Sequence, residues 1–248
     1  MLNNRNELIE LRSAYSEALK LQTRKILVCA GTGCVAGGSL DIHDELVRLI
    51  EEKGINCTIE LEKDPHNESI GVKKSGCHGF CEMGPLVRIE PEGILYTKVK
   101  LDDCREIVDE TIIKGNVVDR LVYKIEGKPY IRQEDIPFYA KQQRGVLEHC
   151  GHIDATSVLE YIGIGGYEAL EKALFEMEPV DIVNEIESSA LRGRGGGGFP
   201  TGRKWRQVLN QTEPVHYVVC NGDEGDPGAF MDRSIMEGDP HRDRKSVV

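Results

Sequence analysis

The chain of 248 residues has no run of about 18 consecutive apolar residues, so no transmembrane helix and no direct membrane insertion is expected. Its opening stretch, MLNNRNELIELRSAYSEALK, is broken by charge every few positions. It therefore lacks the apolar core of a signal peptide, and a cytoplasmic location is expected. A basic surplus is also missing. Lys+Arg number 31 against 42 Asp+Glu, a formal net charge of -11, and no basic patch is segregated. Nucleic acid is not an expected partner. No CxxC pair occurs, which argues against a thioredoxin-type dithiol. Eight cysteines in a cytosolic chain do not read as a disulfide framework. With 40% hydrophobic and 29% charged residues, the composition is that of a globular protein, neither disordered nor collagen-like. The length admits one large domain or two ordinary ones.

The residues that are present give a clear element order. Leu8, Leu11, Tyr15, Ala18 and Leu19 recur at helical spacing and predict an amphipathic helix over 5–21. RKILVCA (24–30) reads as a short strand ending at Cys29. Ser39 is expected to cap a helix that stops at Gly54, and 55–63 alternates like a strand, with Ile55, Cys57, Ile59 and Leu61 on one face. A loop follows. Residues 85–99 then predict a hairpin broken at Pro91–Gly93, and 101–115 a helix stopped by Gly115. This is an α/β unit of thioredoxin-like size, ending near 120. Residues 121–150 read as a connector. Helical stretches are expected at 155–162, 166–176 and 179–191, and HYVVC (216–220) reads as a buried strand.

Four cysteines form two short-spaced pairs, Cys29-x4-Cys34 and Cys77-x3-Cys81, flanked by small residues in CAGTGC and GCHGFCEMGP. Four soft thiolates suit an iron–sulfur cluster or zinc. Structural zinc usually takes two-residue gaps on tight knuckles, whereas wider gaps with glycine on both sides suit a bulkier cluster whose sulfurs accept backbone N–H bonds. Zinc, redox-active thiols and simple packing remain alternatives at this point. Cys57, Cys104, Cys150 and Cys220 stand alone.

CAGTGC together with SGCHGFCEMGPLV resembles the thioredoxin-like two-iron, two-sulfur ferredoxin domain. That domain occurs in a small subunit of respiratory complex I and fused to NAD(P)-linked hydrogenase subunits. The resemblance covers about residues 1–120 and implies Cys29, Cys34, Cys77 and Cys81 as cluster ligands, with Cys57 and Cys104 as packing or surface thiols.

The segment GRGGGGFPTGRKW carries Phe199, Pro200 and Trp205, poor residues for a flexible linker. Its Gly193-x-Gly195-x-x-Gly198 spacing lacks the preceding strand of a dinucleotide fingerprint, and Arg203 stands where a P-loop needs Lys. The surviving reading is a backbone cradle for a phosphate-bearing ligand. Arg194 and Lys204 add charge, and Phe199 offers a stacking face. NGDEGDPG supplies acceptors at Asn221, Asp223, Glu224 and Asp226 for ribose hydroxyls or a flavin edge; a solvated acidic turn is the alternative.

With GHIDATSVLEYIGIGGYEAL, RGRGGGGFPTGRKW and CNGDEGDPGAFMDRSIMEGDPHR, residues 145–242 resemble the flavin- and NADH-binding subunit of complex I and its hydrogenase relatives. The resemblance implies that Gly193, Arg194, Gly195, Gly196, Lys204, Asn221, Asp223 and Glu224 contact FMN. Phe199 would stack near the adenine of NAD(P)H and Asp226 would lie near its nicotinamide. The implied architecture is a thioredoxin-like ferredoxin domain (1–120), a connector (121–150) and the first part of a Rossmann-like FMN/NADH-binding α/β domain (151–248). A four-iron, four-sulfur cluster is expected only in a further C-terminal part. The ending DRKSVV (243–248) matches the translation of a common sequencing adapter, so a truncated gene is expected. The implied function is electron transfer between NAD(P)H, FMN and iron–sulfur clusters in a hydrogenase complex, with its other subunits and a ferredoxin as partners. The alternatives are a fused NADH–quinone oxidoreductase subunit and a non-enzymatic ferredoxin-type carrier.

Overall fold

The computed structural model describes residues 4–63, 65, 67–194 and 196–243. Gly195 and most of the DRKSVV ending lie outside the described residues. The described residues fall into two compact units. One runs to Gly165 and resumes at Gly222; the other is Gly166–Asn221.

The first unit opens with α1 (Arg5–Lys20). Asn4 caps it, its Oδ1 accepting the Glu7 N–H at 3.0 Å while its Nδ2 donates to Glu7 Oε1 at 2.9 Å. Strand β1 (Gln22–Cys29) follows, then the single turn α2 (Thr32–Ala36) and α3 (Ser39–Glu52). Ser39 is not the cap of α3. Gly38 holds that place at φ 88°, and Ser39 is the first helical residue, its hydroxyl buried and without a hydrogen-bond partner among the described residues. Ile42, Leu46, Leu49 and Ile50 form the inner stripe of α3 and meet Ile26, Val28 and Val72 of the sheet.

Two expectations fail next. The strand read at 55–63 shrinks to β2 (Cys57–Thr58), and the loop read after it contains β3 (Ser69–Ser75). SIGVKKS hides its strand behind a glycine and two lysines. It is nonetheless a central strand, paired in parallel with β1 on one side and β2 on the other. Beyond Thr58 the backbone leaves the ladder, and the Ile59 carbonyl accepts the Lys73 ammonium at 2.6 Å.

The hairpin forms as expected from β4 (Val87–Glu90) and β5 (Ile94–Tyr96). The sheet order is β2-β3-β1-β4-β5, with β4 antiparallel to β1. Parallel β1 and β3 joined through α3, then an antiparallel hairpin and a closing helix, make the thioredoxin-like arrangement. The closing helix is α4, three α-helical residues (Cys104–Glu106) running into π-type turns over Ile107–Ile113. Tyr96 anchors it, its buried hydroxyl pairing with Thr111 Oγ1 at 2.5 Å and accepting the Val118 N–H at 3.1 Å.

Residues 121–140 carry a small hairpin, β6 (Tyr123–Ile125) with β7 (Lys128–Tyr130), and the turn α5 (Pro137–Ala140). Backbone bonds from Leu95 to Ile131 and from Thr97 to Leu121 fasten this segment to the β5 edge. Helix α6 (Val158–Gly163) packs on α1. The second unit holds α7 (Glu168–Glu176), α8 (Pro179–Ser188) and α9 (Thr201–Leu209). The chain re-enters the first unit with α10 (Met231–Gly238) and α11 (Pro240–Asp243). HYVVC is not a strand. Tyr217, Val218 and Val219 are 86%, 66% and 81% exposed, because among the described residues the second unit has no sheet for this segment to join.

Candidate functional site

The parallel register of β1 and β3 builds the cysteine site. Cys29 is the last residue of β1 and lies opposite Ser75, the last residue of β3, so both cysteine loops leave the carboxyl end of the sheet side by side. Cys34 sits in α2, and Cys81 starts a 3-10 turn. The Sγ atoms of Cys77 and Cys81 are 3.7 Å apart. Cys29 interacts directly with both Cys34 and Cys77. The structure thus gathers all four sequence-predicted cysteines.

Glycines make the approach possible. A Cβ on Gly31 would stand 2.8 Å from Cys77 Cβ, and one on Gly84 would stand 2.7 Å from Cys34 Sγ. Backbone donors face the sulfurs: the N–H of His78 toward Cys29, of Leu86 toward Cys34, and of Gly79 toward Cys77 at 3.3 Å.

The crowding couples the thiols. Cys34 is held below the usual thiol range because Cys29 donates to it, and Cys29 is pushed up to about 12 by the same pairing. Cys77 is pushed up by Cys29 and by burial. Four thiolates this close repel one another, and a cationic centre is what lets all of them ionise together. Among the described residues, no three or more His, Cys, Asp or Glu converge on one metal point.

Sequence reasoning missed the support beneath this site. His78 is fully buried. Its Nδ1 lies 3.3 Å from Gln133 Oε1 and its Nε2 lies 2.9 Å from Ser75 Oγ. Gln133 Oε1 only accepts, so Nδ1 carries the proton. Arg88, also buried, donates to the same Gln133 oxygen at 2.8 Å and to Glu90 and Glu134 at 2.7 and 2.6 Å. Phe80, between Cys77 and Cys81, stacks on Phe138 at 5.0 Å and meets Tyr123 and Tyr139 edge-on. His78 and Phe80 lie inside the second cysteine motif, but nothing local marks Gln133 or Arg88 as their neighbours.

Helix α10 lies against the same loops. Thr32 Oγ1 donates to Glu237 at 2.8 Å; a Cβ on Gly76 would run into Gly238 Cα and one on Gly238 would stand 2.6 Å from Cys150 Sγ, so neither glycine tolerates a side chain. Cys150 is buried beside Gly238.

The glycine segment belongs to the second unit. Backbone bonds from Gly193 N to Phe199 O and from Thr201 N to Leu191 O, both 2.9 Å, close it into a loop that feeds the N-terminus of α9. Gly196 and Gly198 adopt φ 95° and 58°, and the space around Gly196 and Gly197 is open, so a phosphate can reach this backbone. Arg194 and Lys204 are exposed there. Phe199 is 44% exposed, with Arg203 over its ring at 5.8 Å. Gly202 lets α9 close on α8, since a Cβ would stand 2.6 Å from Glu187.

The acidic residues divide. Asn221 closes the second unit, and Asp223, Glu224 and Asp226 belong to the first. Glu224 caps α10, its Oε1 accepting the Asp232 N–H at 2.7 Å. The Asp226 carbonyl accepts the Ala229 N–H at 3.1 Å.

Known proteins resemble parts of this chain. Over 101 residues the chain is 52% identical to the NADP-reducing hydrogenase subunit HndC of Solidesulfovibrio fructosivorans, covering 41% of this chain and 20% of that protein. Over 85 residues it is 53% identical to an NADH-quinone oxidoreductase subunit of Aquifex aeolicus (strain VF5), covering 34% and 20%. The chain thus spans about a fifth of the length of these relatives. Among solved structures, a thioredoxin-like [2Fe-2S] ferredoxin from Aquifex aeolicus aligns at 26% identity over 41% of this chain and 97% of its own, with a TM-score of 0.32. Residues 186–242, which hold the glycine loop, the acidic turn and α10, match the family model of the Nuo51 FMN-binding domain.

Proposed function

We propose that the chain is an electron-transferring part of an NAD(P)H-linked flavin and iron–sulfur oxidoreductase subunit, working in the cytoplasm within a hydrogenase or NADH dehydrogenase complex. The observation that carries this reading is the convergence of Cys29, Cys34, Cys77 and Cys81 under backbone N–H donors in a chain that also matches an FMN-binding domain. The domain plan follows: a ferredoxin-type domain (1–120), a connector (121–150) and the first part of a flavin domain (151–248).

The four cysteines would hold a two-iron, two-sulfur cluster. The phosphate of FMN would lie on the loop of Gly193, Arg194, Gly195 and Gly196 with Lys204 beside it, while Asn221, Asp223 and Glu224 contact the flavin. Phe199 and Asp226 would meet the adenine and nicotinamide ends of NAD(P)H. Bound there, FMN supplies the exchange between two-electron hydride chemistry and one-electron iron chemistry. The glycines of the loop contribute unhindered N–H groups, and Arg194 and Lys204 contribute positive charge against the phosphate. At the cysteines, N–H groups aimed at sulfur favour added negative charge, and Tyr139 and Phe80 pack in the apolar cluster that holds Cys29 and Cys34. No side chain needs to act as a general acid or base.

Anaerobic expression followed by iron and sulfide quantitation, with EPR of the dithionite-reduced protein, tests this. About two irons per chain with a rhombic signal are expected. Zinc without a signal would overturn the cluster.

A second reading, a ferredoxin-type carrier without flavin chemistry, draws on the exposed HYVVC segment. Flavin titration separates the two, since only the first requires FMN to quench on binding and to be lost on substitution of Lys204.

A further inference from the structure

Arg144 lies over the cysteine loop and has no part in the proposed binding of flavin or nucleotide. Its Nη2 donates to the His78 carbonyl at 2.8 Å. The peptide joining His78 to Gly79 presents its other end, the Gly79 N–H, to Cys77 Sγ at 3.3 Å. One peptide group therefore has a guanidinium on its oxygen and a ligand sulfur on its nitrogen. Its dipole points positive end first at the sulfur. A cation on the carbonyl polarises the group further and strengthens the N–H···S bond, as hydrogen bonds in series do.

The rest of the surroundings hold this geometry. The His78 ring is tied to Ser75 and Gln133, so the peptide cannot swing. The guanidinium carbon of Arg144 sits 5.1 Å from the centre of the Tyr139 ring, and Nε donates to Gln142 at 3.2 Å. Gly79, at φ 81°, leaves room for it; a Cβ there would stand 3.2 Å from Nη2. The half-buried Arg144 has no carboxylate within ion-pair distance among the described residues, unlike Arg88, which has two. Its charge is therefore not cancelled locally.

We propose that Arg144 is a positioning residue that raises the reduction potential of a cluster on Cys29, Cys34, Cys77 and Cys81, acting through the His78–Gly79 peptide. The inference rests on the iron–sulfur reading. Reduction adds one electron to the four-thiolate centre. No bond is made or broken, and the added negative charge spreads onto sulfur, where the polarised N–H and the guanidinium stabilise it.

The test is an EPR-monitored redox titration of the full chain, wild type against Arg144→Ala, Arg144→Gln and Arg144→Lys, with dithionite as electron donor and iron counted in each. Loss of the charge in the Ala and Gln variants should lower the reduced-to-oxidised ratio at fixed potential about tenfold, equivalent to about 59 mV for one electron. Arg144→Lys, which keeps the charge and a donor, should recover most of that shift. Iron-loaded Ala and Gln variants within twofold of wild type overturn the proposal. So does loss of iron in all three variants, the lysine included, because Arg144 would then hold the shape of the loop and not its potential. A wild-type chain that takes up no iron overturns the reading beneath, and is recognised without any variant.

Discussion

Glu90 and Arg88 show how a single buried charge is managed. The Arg88 side chain is 4% exposed and shares its fork among Glu90, Glu134 and Gln133. Burial pushes the Glu90 carboxyl up, but His152, whose Nδ1 lies 3.6 Å from it, and the hydrogen bond from Arg88 at 2.7 Å overcome this and take the group down to about 2. A carboxyl depressed in the folded state stabilises above its unfolded value and loses that contribution as pH falls through the folded value. The unfolding free energy is expected to drop by about 2 to 3 kcal/mol between pH 5 and pH 2 on this account. Urea unfolding of Glu90→Gln should show lower stability at pH 5 and a flatter acid limb; an unchanged limb would remove Glu90 from the explanation. None of this was visible in the sequence, because Arg88 and Glu134 are 46 residues apart and become neighbours only when residues 121–140 fasten to the sheet edge.

Helices and strands were legible where their apolar period was strong and illegible where a partner made them. Helices α1 and α3 announce themselves by spacing, and the hairpin of β4 and β5 by its Pro–Glu–Gly turn. Strand β3 does not, since Lys73 reads as surface and is 1% exposed. Burial lowers the affinity of Lys73 for its proton, and the Ile59 carbonyl takes the ammonium instead of a ladder bond. The contact of α1 with α6 is decided by one missing side chain. A Cβ on Gly163 would stand 2.9 Å from Leu19 Cδ1 and 3.1 Å from the Tyr15 backbone. Gly163→Leu should therefore prise the two helices apart and cost about 1 to 3 kcal/mol, read as a lowered thermal midpoint. A midpoint within a degree of wild type would show that this pair of helices contributes nothing to cooperative unfolding.

At the scale of the molecule, the segment around Tyr217–Val219 is the point of weakness, without regular secondary structure and exposed. Brief chymotrypsin treatment should cut first after Tyr217, leaving Tyr15, Tyr96 and Tyr161 protected in the first unit, with mass spectrometry locating the cuts. Early cleavage after Tyr96 would mean that the thioredoxin-like sheet is not the stable part. The sequence by itself determined the cysteine pairs, the α/β class, the hairpin and the glycine loop, because each is written in local spacing or in residues that only a special backbone needs. Only the tertiary structure decided that β3 is a central strand, that His78, Gln133 and Arg88 form one hydrogen-bonded support, that Arg144 clamps the peptide facing Cys77, and that HYVVC finds no sheet among the described residues. Those outcomes depend on which surfaces meet across tens of residues, and burial, pairing and shared protons exist only once the chain has brought them together.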